Sequence, residues 1–266
     1  MSPKDATAEP VLLRRDEDGI AFLTMNRPTA RNALSVALMT ALQDAVDAIA
    51  GDAKIKVVVI AGAGPGFCAG HDLREMRANP GRQHYEALFA QCSRLMTSIV
   101  KLPKPVIARV HGIAAAAGCQ LVATCDLAVA ASDARFAVNG INVGLFCSTP
   151  MVALSRAVGR KPALEMLLTG DFVDAPRARE IGLVNRVAAP EKLDDEVLAL
   201  ARHIAGKLTV AVAIGKEAFY RQAELGLEDA YAYTGQVMTR NMMAKETEAG
   251  IDAFLDKRPP PWQSPR

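Results

Sequence analysis

Aromatic residues are scarce, 5% of the chain with a single tryptophan, so a base-stacking platform for nucleic acid has little to be built from. The formal charges nearly cancel, leaving +2, which gives no electrostatic footprint for a polyanionic partner. No pair among the five cysteines, Cys68, Cys92, Cys119, Cys125 and Cys147, has CxxC spacing, and the number is odd. Structural zinc and a disulfide framework are therefore disfavoured, and free thiols fit a reducing cytoplasm. The polar residues 1–10, with Asp5 and Glu9, have neither the apolar core of a signal peptide nor the Arg-rich, acid-poor character of a transit peptide. The longest apolar region, residues 106–131, is broken by Arg109, His111, Gln120 and Asp126, so it is no membrane span. The expectation is a cytoplasmic protein with no metal, no nucleic acid and no membrane among its partners.

What is present is a chain of 266 residues, half of them apolar, enough for one large domain with a substantial core, alone or with a small appendage. Its organising stretch is IARVHGIAAAAGCQLVATCD, residues 107–126. An apolar strand over 105–110 crosses a turn at His111-Gly112, passes a run of small residues, and becomes a helix over 119–126. Small side chains at a strand-to-helix turn let a ligand approach the backbone, and free N–H groups at a helix start can hold a negative oxygen. Tight packing of a buried helix on a sheet also favours Ala and Gly, so both readings stand.

Around it the pattern alternates strands with helices. Residues 11–25 read as a hairpin about Asp16-Glu17-Asp18-Gly19. Ser35 caps a helix carrying Leu38, Leu42, Ala45 and Ile49 on one face. Val57-Val58-Val59-Ile60 reads as a strand covered on both faces. Residues 84–100 read as an amphipathic helix. Further strands are expected at 127–130, at Phe136 and over 183–187, and helices at 150–158, at 161–168 and after Asp174-Ala175-Pro176. From Leu193 the chain reads as almost wholly helical, ending in a polar, Pro-rich tail over 258–266. Two units follow: an α/β core over 1–195 and a helical region over 196–266.

The glycine-rich loop over 61–70 fits neither G-x-G-x-x-G, since Phe67 falls at the third glycine, nor a P-loop, which needs G-K-[ST]. A loop with exposed backbone N–H groups remains open, because it follows a buried strand and precedes the helical Asp72-Leu73-Arg74-Glu75-Met76.

Several motifs in fixed order, NRPTARNAL, AGAGPGFCAGHDLREM, KLPKPVIARVHGIAAAAGCQLVATCDLAVA, ALEMLLTG and IGLVNRV, resemble the crotonase, or enoyl-CoA hydratase/isomerase, family over nearly the whole chain. GINVGLFCSTP followed by VALSRAVGRKPALEMLLTG is similar to one subgroup within it. The resemblance implies the crotonase (ClpP-like) spiral of β-β-α units with a C-terminal helical trimerisation region, assembled as a homotrimer or hexamer. It implies an acyl-CoA substrate, with no separate cofactor, in the lyase or isomerase class. Two backbone N–H groups, by resemblance those of His71 and Ala117, would form the oxyanion hole for the thioester oxygen. The positions matching the CoA-binding side are Ala30, Arg31, Ala69, His71, Asp72, Leu73, Arg74 and Ala117; Arg31, Arg74 and nearby Arg77 could pair with phosphates.

The departures are as informative. A hydratase of this family uses two glutamates, one as base and one as acid, to deliver water across a double bond. Gln120 and Gly140 stand in their places, and Ser148 stands where some members carry a catalytic aspartate. Asp126 resembles a structural residue, Asp133 reads as solvated, and Cys119 and Cys147 read as buried, inert thiols. In naphthoate synthases, similar in fold, glycine takes the second place and a bound bicarbonate supplies the base; Gly140 leaves room for such an ion. Standard hydration is therefore in doubt, and a non-catalytic acyl-CoA carrier or sensor is the alternative.

Overall fold

The computed structural model describes residues 9–263. The polar residues 1–8 and the tail residues 264–266 lie outside it. β1 (Leu12–Glu17) and β2 (Ile20–Met25) form the expected antiparallel hairpin. Its turn places Asp18 at φ 51° and Gly19 at φ 77°, the left-handed pair that a tight hairpin needs. Ser35 accepts the Leu38 N–H at 3.2 Å and starts α1 (Val36–Ala50), which buries Leu38, Leu42 and Ile49. β3 (Val57–Gly62) follows, then the glycine-rich loop, α2 (Leu73–Ala78) and α3 (Arg82–Lys101).

β4 (Val106–Val110) turns at His111-Gly112 into β5 (Ile113–Ala115), a separate strand, and then into α4 (Ala117–Thr124). The helix begins two residues before the expected start at Cys119, because the small residues 113–118 divide between strand and first turn. β6 (Leu127–Ala131), β7 (Arg135–Ala137), α5 (Ser148–Ala157), α6 (Arg160–Thr169), β8 (Val173–Asp174) and α7 (Ala175–Glu180) come next. β9 (Arg186–Ala188) is shorter than the strand expected over 183–187, since Leu183 and Val184 both turn their N–H groups to the Ala178 carbonyl. The remainder is α8 (Leu193–Ala205), α9 (Thr209–Gln222), α10 (Leu227–Met242) and α11 (Lys245–Leu255).

The strands form two sheets. The larger has the order β1-β2-β3-β4-β6-β9, parallel except for the first pair; the smaller has the order β5-β7-β8. The first four strands build the larger sheet, after which the chain moves between the two sheets, and the core fills both with fully buried Val, Ile, Leu and Phe. α8 packs across β3, β4 and β6 and buries Leu193, Val197, Leu200 and Ala201. A boundary at residue 195 would cut this core helix, and the helices that leave the core begin beyond Gly206. α9 packs on α10, and the arm exposes Phe219, Leu227, Tyr231, Met243, Phe254 and Leu255.

Candidate functional site

The residues from Phe67 to Asp72 are held from two sides. On one side the Ala69 N–H donates to the Arg31 carbonyl at 3.0 Å, the Leu34 N–H to Gly70 at 2.7 Å, and the Asp72 N–H to Leu34 at 3.1 Å. On the other, the Cys68 N–H donates to Ile113 at 3.1 Å and the Ala115 N–H to Cys68 at 2.9 Å. In a parallel bridge Leu34 bonds the residues flanking His71, so the His71 N–H points away from it. Among the described residues that N–H has no hydrogen-bond acceptor.

Ala117 opens α4, where an N–H has no intrahelical partner, and it too bonds nothing in the described residues. The two loops abut: a methyl group on Gly70 would lie 3.4 Å from the Ala117 nitrogen. Ala116 precedes it with φ 47° and ψ −117°, torsions that an alanine seldom adopts. The strain ends the pairing to β7, marked by the Ala116 N–H to Ala137 carbonyl bond of 2.8 Å, and starts the helix. Two adjacent unclaimed amides beside a strained residue are an arrangement that can stabilise a negative oxygen.

The His71, Gln120 and Cys92 side chains near these amides are uncharged. Burial pushes the His71 imidazole down to about 4 from its ordinary 6.5. Its ring lies edge-on to Phe89 at 5.7 Å, and its Nε2 is sealed from solvent with no partner. Gln120, one turn along α4 from Ala117, is buried. Its Oε1 accepts from the Cys92 thiol at 4.0 Å, while its Nε2 donates to no protein atom among the described residues. Phe89 and Cys92 are one turn apart on α3, so this one helix face carries both His71 and Gln120.

Gly140 has no room for a side chain. A Cβ there would collide with the Leu145 carbonyl oxygen and lie 2.9 Å from the Cys147 sulfur. The Gly140 N–H already faces that sulfur at 3.4 Å. Ser148 and Asp133 are exposed. Asp126 is structural, as it reads in the sequence: it takes the Val106 N–H, Lys216 and Tyr220. Burial pushes the thiols of Cys68, Cys92 and Cys119 up to about 12, and all five cysteines are buried, so they are poor nucleophiles.

The proposed CoA-side residues divide. Ala30, Arg31 and Ala69 come together through the Arg31–Ala69 backbone bond, and Arg31, Leu73 and Arg74 are exposed around it. Asp72 instead turns inward. It caps α2 by accepting the Arg74 and Glu75 N–H groups and pairs with Arg27 at 2.8 Å. Burial opposes its ionisation, but the Arg27 guanidinium and the two amides hold its carboxyl below the usual range.

Sequence reasoning quoted Asn32 only as part of a motif and missed its role. It is fully buried at φ 55°. Its Oδ1 accepts the Arg27 N–H at 2.9 Å, and its Nδ2 donates to Ala63 and Gly66, each at 2.8 Å. It fastens the glycine-rich loop in the position that presents the His71 amide. The usable signal was an asparagine between Arg31 and an apolar run, since Asn tolerates left-handed torsions.

Residues 15–265 match the enoyl-CoA hydratase/isomerase family. The chain is 44% identical over 261 residues to rat mitochondrial enoyl-CoA hydratase domain-containing protein 3, covering 98% of this chain and 87% of the relative. The human protein of that name is 46% identical over 248 residues, with 93% and 82% covered. An enoyl-CoA hydratase crystal structure from Mycobacterium smegmatis is 60% identical with a TM-score of 0.94, covering 96% of this chain and all (100%) of that one.

The relatives' names correct one expectation. Both curated relatives are named mitochondrial, which overturns the cytoplasmic reading. Free thiols report a reducing surrounding without saying which compartment provides it, and the N-terminal residues 1–8 lie outside the described structure. On these matches the chain belongs to the crotonase, or enoyl-CoA hydratase/isomerase, family, has the crotonase fold, and within the family is similar to the enoyl-CoA hydratase domain-containing protein 3 type, the subgroup that GINVGLFCSTP singles out.

Proposed function

We propose that this chain binds an acyl-CoA thioester, with the thioester oxygen held by the N–H groups of His71 and Ala117. The observation that carries the reading is the pair of adjacent amides with no acceptor among the described residues. Charge developing on such an oxygen is where preorganised donors act, and one donor is typically worth ~3 kcal/mol. Arg31 and Arg74, exposed beside the loops, meet the CoA phosphates, joined by backbone around Ala30, Ala69 and Leu73. Asp72 contributes by fixing Arg27 and α2 rather than by touching the ligand. The thioester is the substrate and no further cofactor is needed for binding.

Hydration through two glutamates is not available to Gln120 and Gly140. General acid–base catalysis contributes ~10²–10⁴-fold per group, so crotonyl-CoA is hydrated very slowly or not at all. A divergent lyase or isomerase that recruits water or the substrate's own acidity is the first reading. A carrier or sensor without turnover is the second, favoured by the filled space at Gly140. Incubation with a panel of acyl-CoAs and mass spectrometry of the products separates them: a new thioester product supports an enzyme, and unchanged thioesters in the presence of measured binding support a carrier. Calorimetry on Arg31→Ala and Arg74→Ala tests the binding itself. Both weaken affinity in a salt-dependent way, and unchanged affinity in both removes them from the site.

A homotrimer or hexamer is part of the same reading. Its support is the arm of α9, α10 and α11, which presents more large apolar side chains to solvent than a monomer surface normally carries together. Light scattering at micromolar concentration tests it, and a monomer would contradict it.

A further inference from the structure

The acyl side of the site has an unusual chemical sign. The His71 and Ala117 amides are donors without acceptors. The side chains on the α3 side bring no charge: His71 is neutral, Cys92 keeps its proton, and Gln120 is a carboxamide, while the one adjacent carboxylate, Asp72, is turned to Arg27. Gln120 is 4% exposed, so almost all of it is removed from water. A carboxamide in that setting is costly unless both its ends are bonded. Only one end is. The Cys92 thiol, held protonated by burial, is a donor and so takes the oxygen. Among the described residues the NH₂ end has no protein acceptor, yet it is not one of the side-chain atoms sealed from solvent without a partner. It therefore keeps slight access to solvent.

Residues three apart on a helix share a face, so the Gln120 side chain stands one turn, ~5.4 Å, along from the free amide of Ala117. An acyl chain held at its thioester oxygen by Ala117 and running along this helix face would pass Gln120 with its first few carbons. An oxygen on the third acyl carbon lies within reach of the carboxamide, while a plain alkyl or alkenyl chain leaves the NH₂ desolvated and unpaired.

We infer that Gln120 selects the acyl group: its Nε2 donates a hydrogen bond to a carbonyl oxygen on acyl carbon 3, so the site takes 3-oxoacyl thioesters in preference to saturated or 2-enoyl ones. A ketone oxygen only accepts, which matches an NH₂ that only donates. A hydroxyl at the same carbon would spend its own proton in a site that has no free acceptor to receive it. The inference rests on acyl-CoA binding as proposed above and adds the class of acyl group. A site built to bond a substrate oxygen discriminates strongly against the analogue that lacks it, because the buried donor is then unpaired.

The test is calorimetry with 3-oxobutanoyl-CoA, butanoyl-CoA and crotonyl-CoA on the wild-type protein and on Gln120→Leu and Gln120→Glu. Wild type binds the 3-oxo thioester about tenfold or more tightly than the other two, the size expected of a hydrogen bond otherwise lost in a buried site. In Gln120→Leu that ratio falls to near 1. In Gln120→Glu, where a carboxylate faces the ketone oxygen, it falls below 1. Circular dichroism melts and butanoyl-CoA binding confirm that each variant compared is folded, and either variant alone suffices for the comparison. Equal affinities in wild type, or a preference that survives in a folded Gln120 variant, overturn the inference while leaving acyl-CoA binding intact. Failure of the wild type to bind butanoyl-CoA at all overturns the binding reading, and the inference with it.

Discussion

Lys216 Nζ lies 2.7 Å from Asp126 Oδ2, joining α9 to the short link between α4 and β6 across 90 positions of sequence. The ammonium also donates to the carbonyls of Ile99 at 2.9 Å and Lys104 at 3.0 Å, and Tyr220, one turn on, donates to Asp126 Oδ1 at 2.9 Å. The helical arm is thus anchored to the same short helix that presents the Ala117 amide. Both charges are nearly buried, and removing one partner of such a pair is costly because the other is left uncompensated. Lys216→Met should therefore lower stability by ~3 kcal/mol in urea unfolding. A loss well under ~1 kcal/mol, as exposed pairs give, would contradict the anchoring role.

His71 makes stability depend on pH in one direction. Its native value is pushed down to about 4 against an ordinary 6.5, so between these the unfolded chain binds more protons than the native one. Stability contributed by His71 is then fully present above about 6.5 and is lost as pH falls through about 4. Partial solvent access keeps the effect to ~2 kcal/mol. Urea midpoints measured from pH 7 to 4 should fall more steeply for the wild type than for His71→Leu. Parallel profiles would show that His71 is not buried as a neutral ring.

Ala116 should be a site where glycine stabilises. Its φ of 47° and ψ of −117° suit a residue without a Cβ, and such torsions cost ~1–3 kcal/mol when a Cβ is present. The greater freedom of glycine in the unfolded chain takes back ~0.5–1 kcal/mol. Ala116→Gly is expected to gain ~1 kcal/mol, read as a higher melting temperature. A lower one would mean that the torsions carry no strain.

Gly140 cannot be rebuilt as an acid. Its Cβ position is occupied by the Leu145 carbonyl oxygen, and Cys147 Sγ stands 2.9 Å away. Gly140→Ala should cost ~1–3 kcal/mol as overpacking, and Gly140→Glu more. Adding Gly140→Glu to Gln120→Glu should therefore not restore hydration. A double variant with wild-type melting temperature and measurable loss of crotonyl-CoA absorbance would contradict this.

Local signals in the sequence sufficed where one segment carries its own reason. Asp18-Gly19 names the hairpin turn, Ser35 names a helix cap, and the spacing of Leu88, Cys92, Leu95, Met96 and Ile99 names α3. The positions of the two proposed oxyanion amides were legible only by resemblance, because a backbone N–H leaves no mark in the residue type that carries it. Strands of three residues, β5 and β7, are too short for a period, so the second sheet was not separable from the first. The Asn32 fastening and the Lys216–Asp126 tether join distant segments, and neither residue alone reveals its partner. The lack of space at Gly140 depends on a carbonyl five positions on and could be seen only in three dimensions.

The central claim is that the thioester oxygen is held by the His71 and Ala117 amides. Among substitutions only proline deletes a backbone donor, and it would also disturb the turn at the preceding residue, so the ligand is changed instead. Calorimetry with butanoyl-CoA against S-butyl-CoA, a thioether that differs only in lacking the carbonyl oxygen, isolates those two bonds. With two net hydrogen bonds at stake, butanoyl-CoA should bind at least ~10-fold more tightly. Equal affinity for thioester and thioether would contradict the claim, because the oxygen would then have no donors waiting for it.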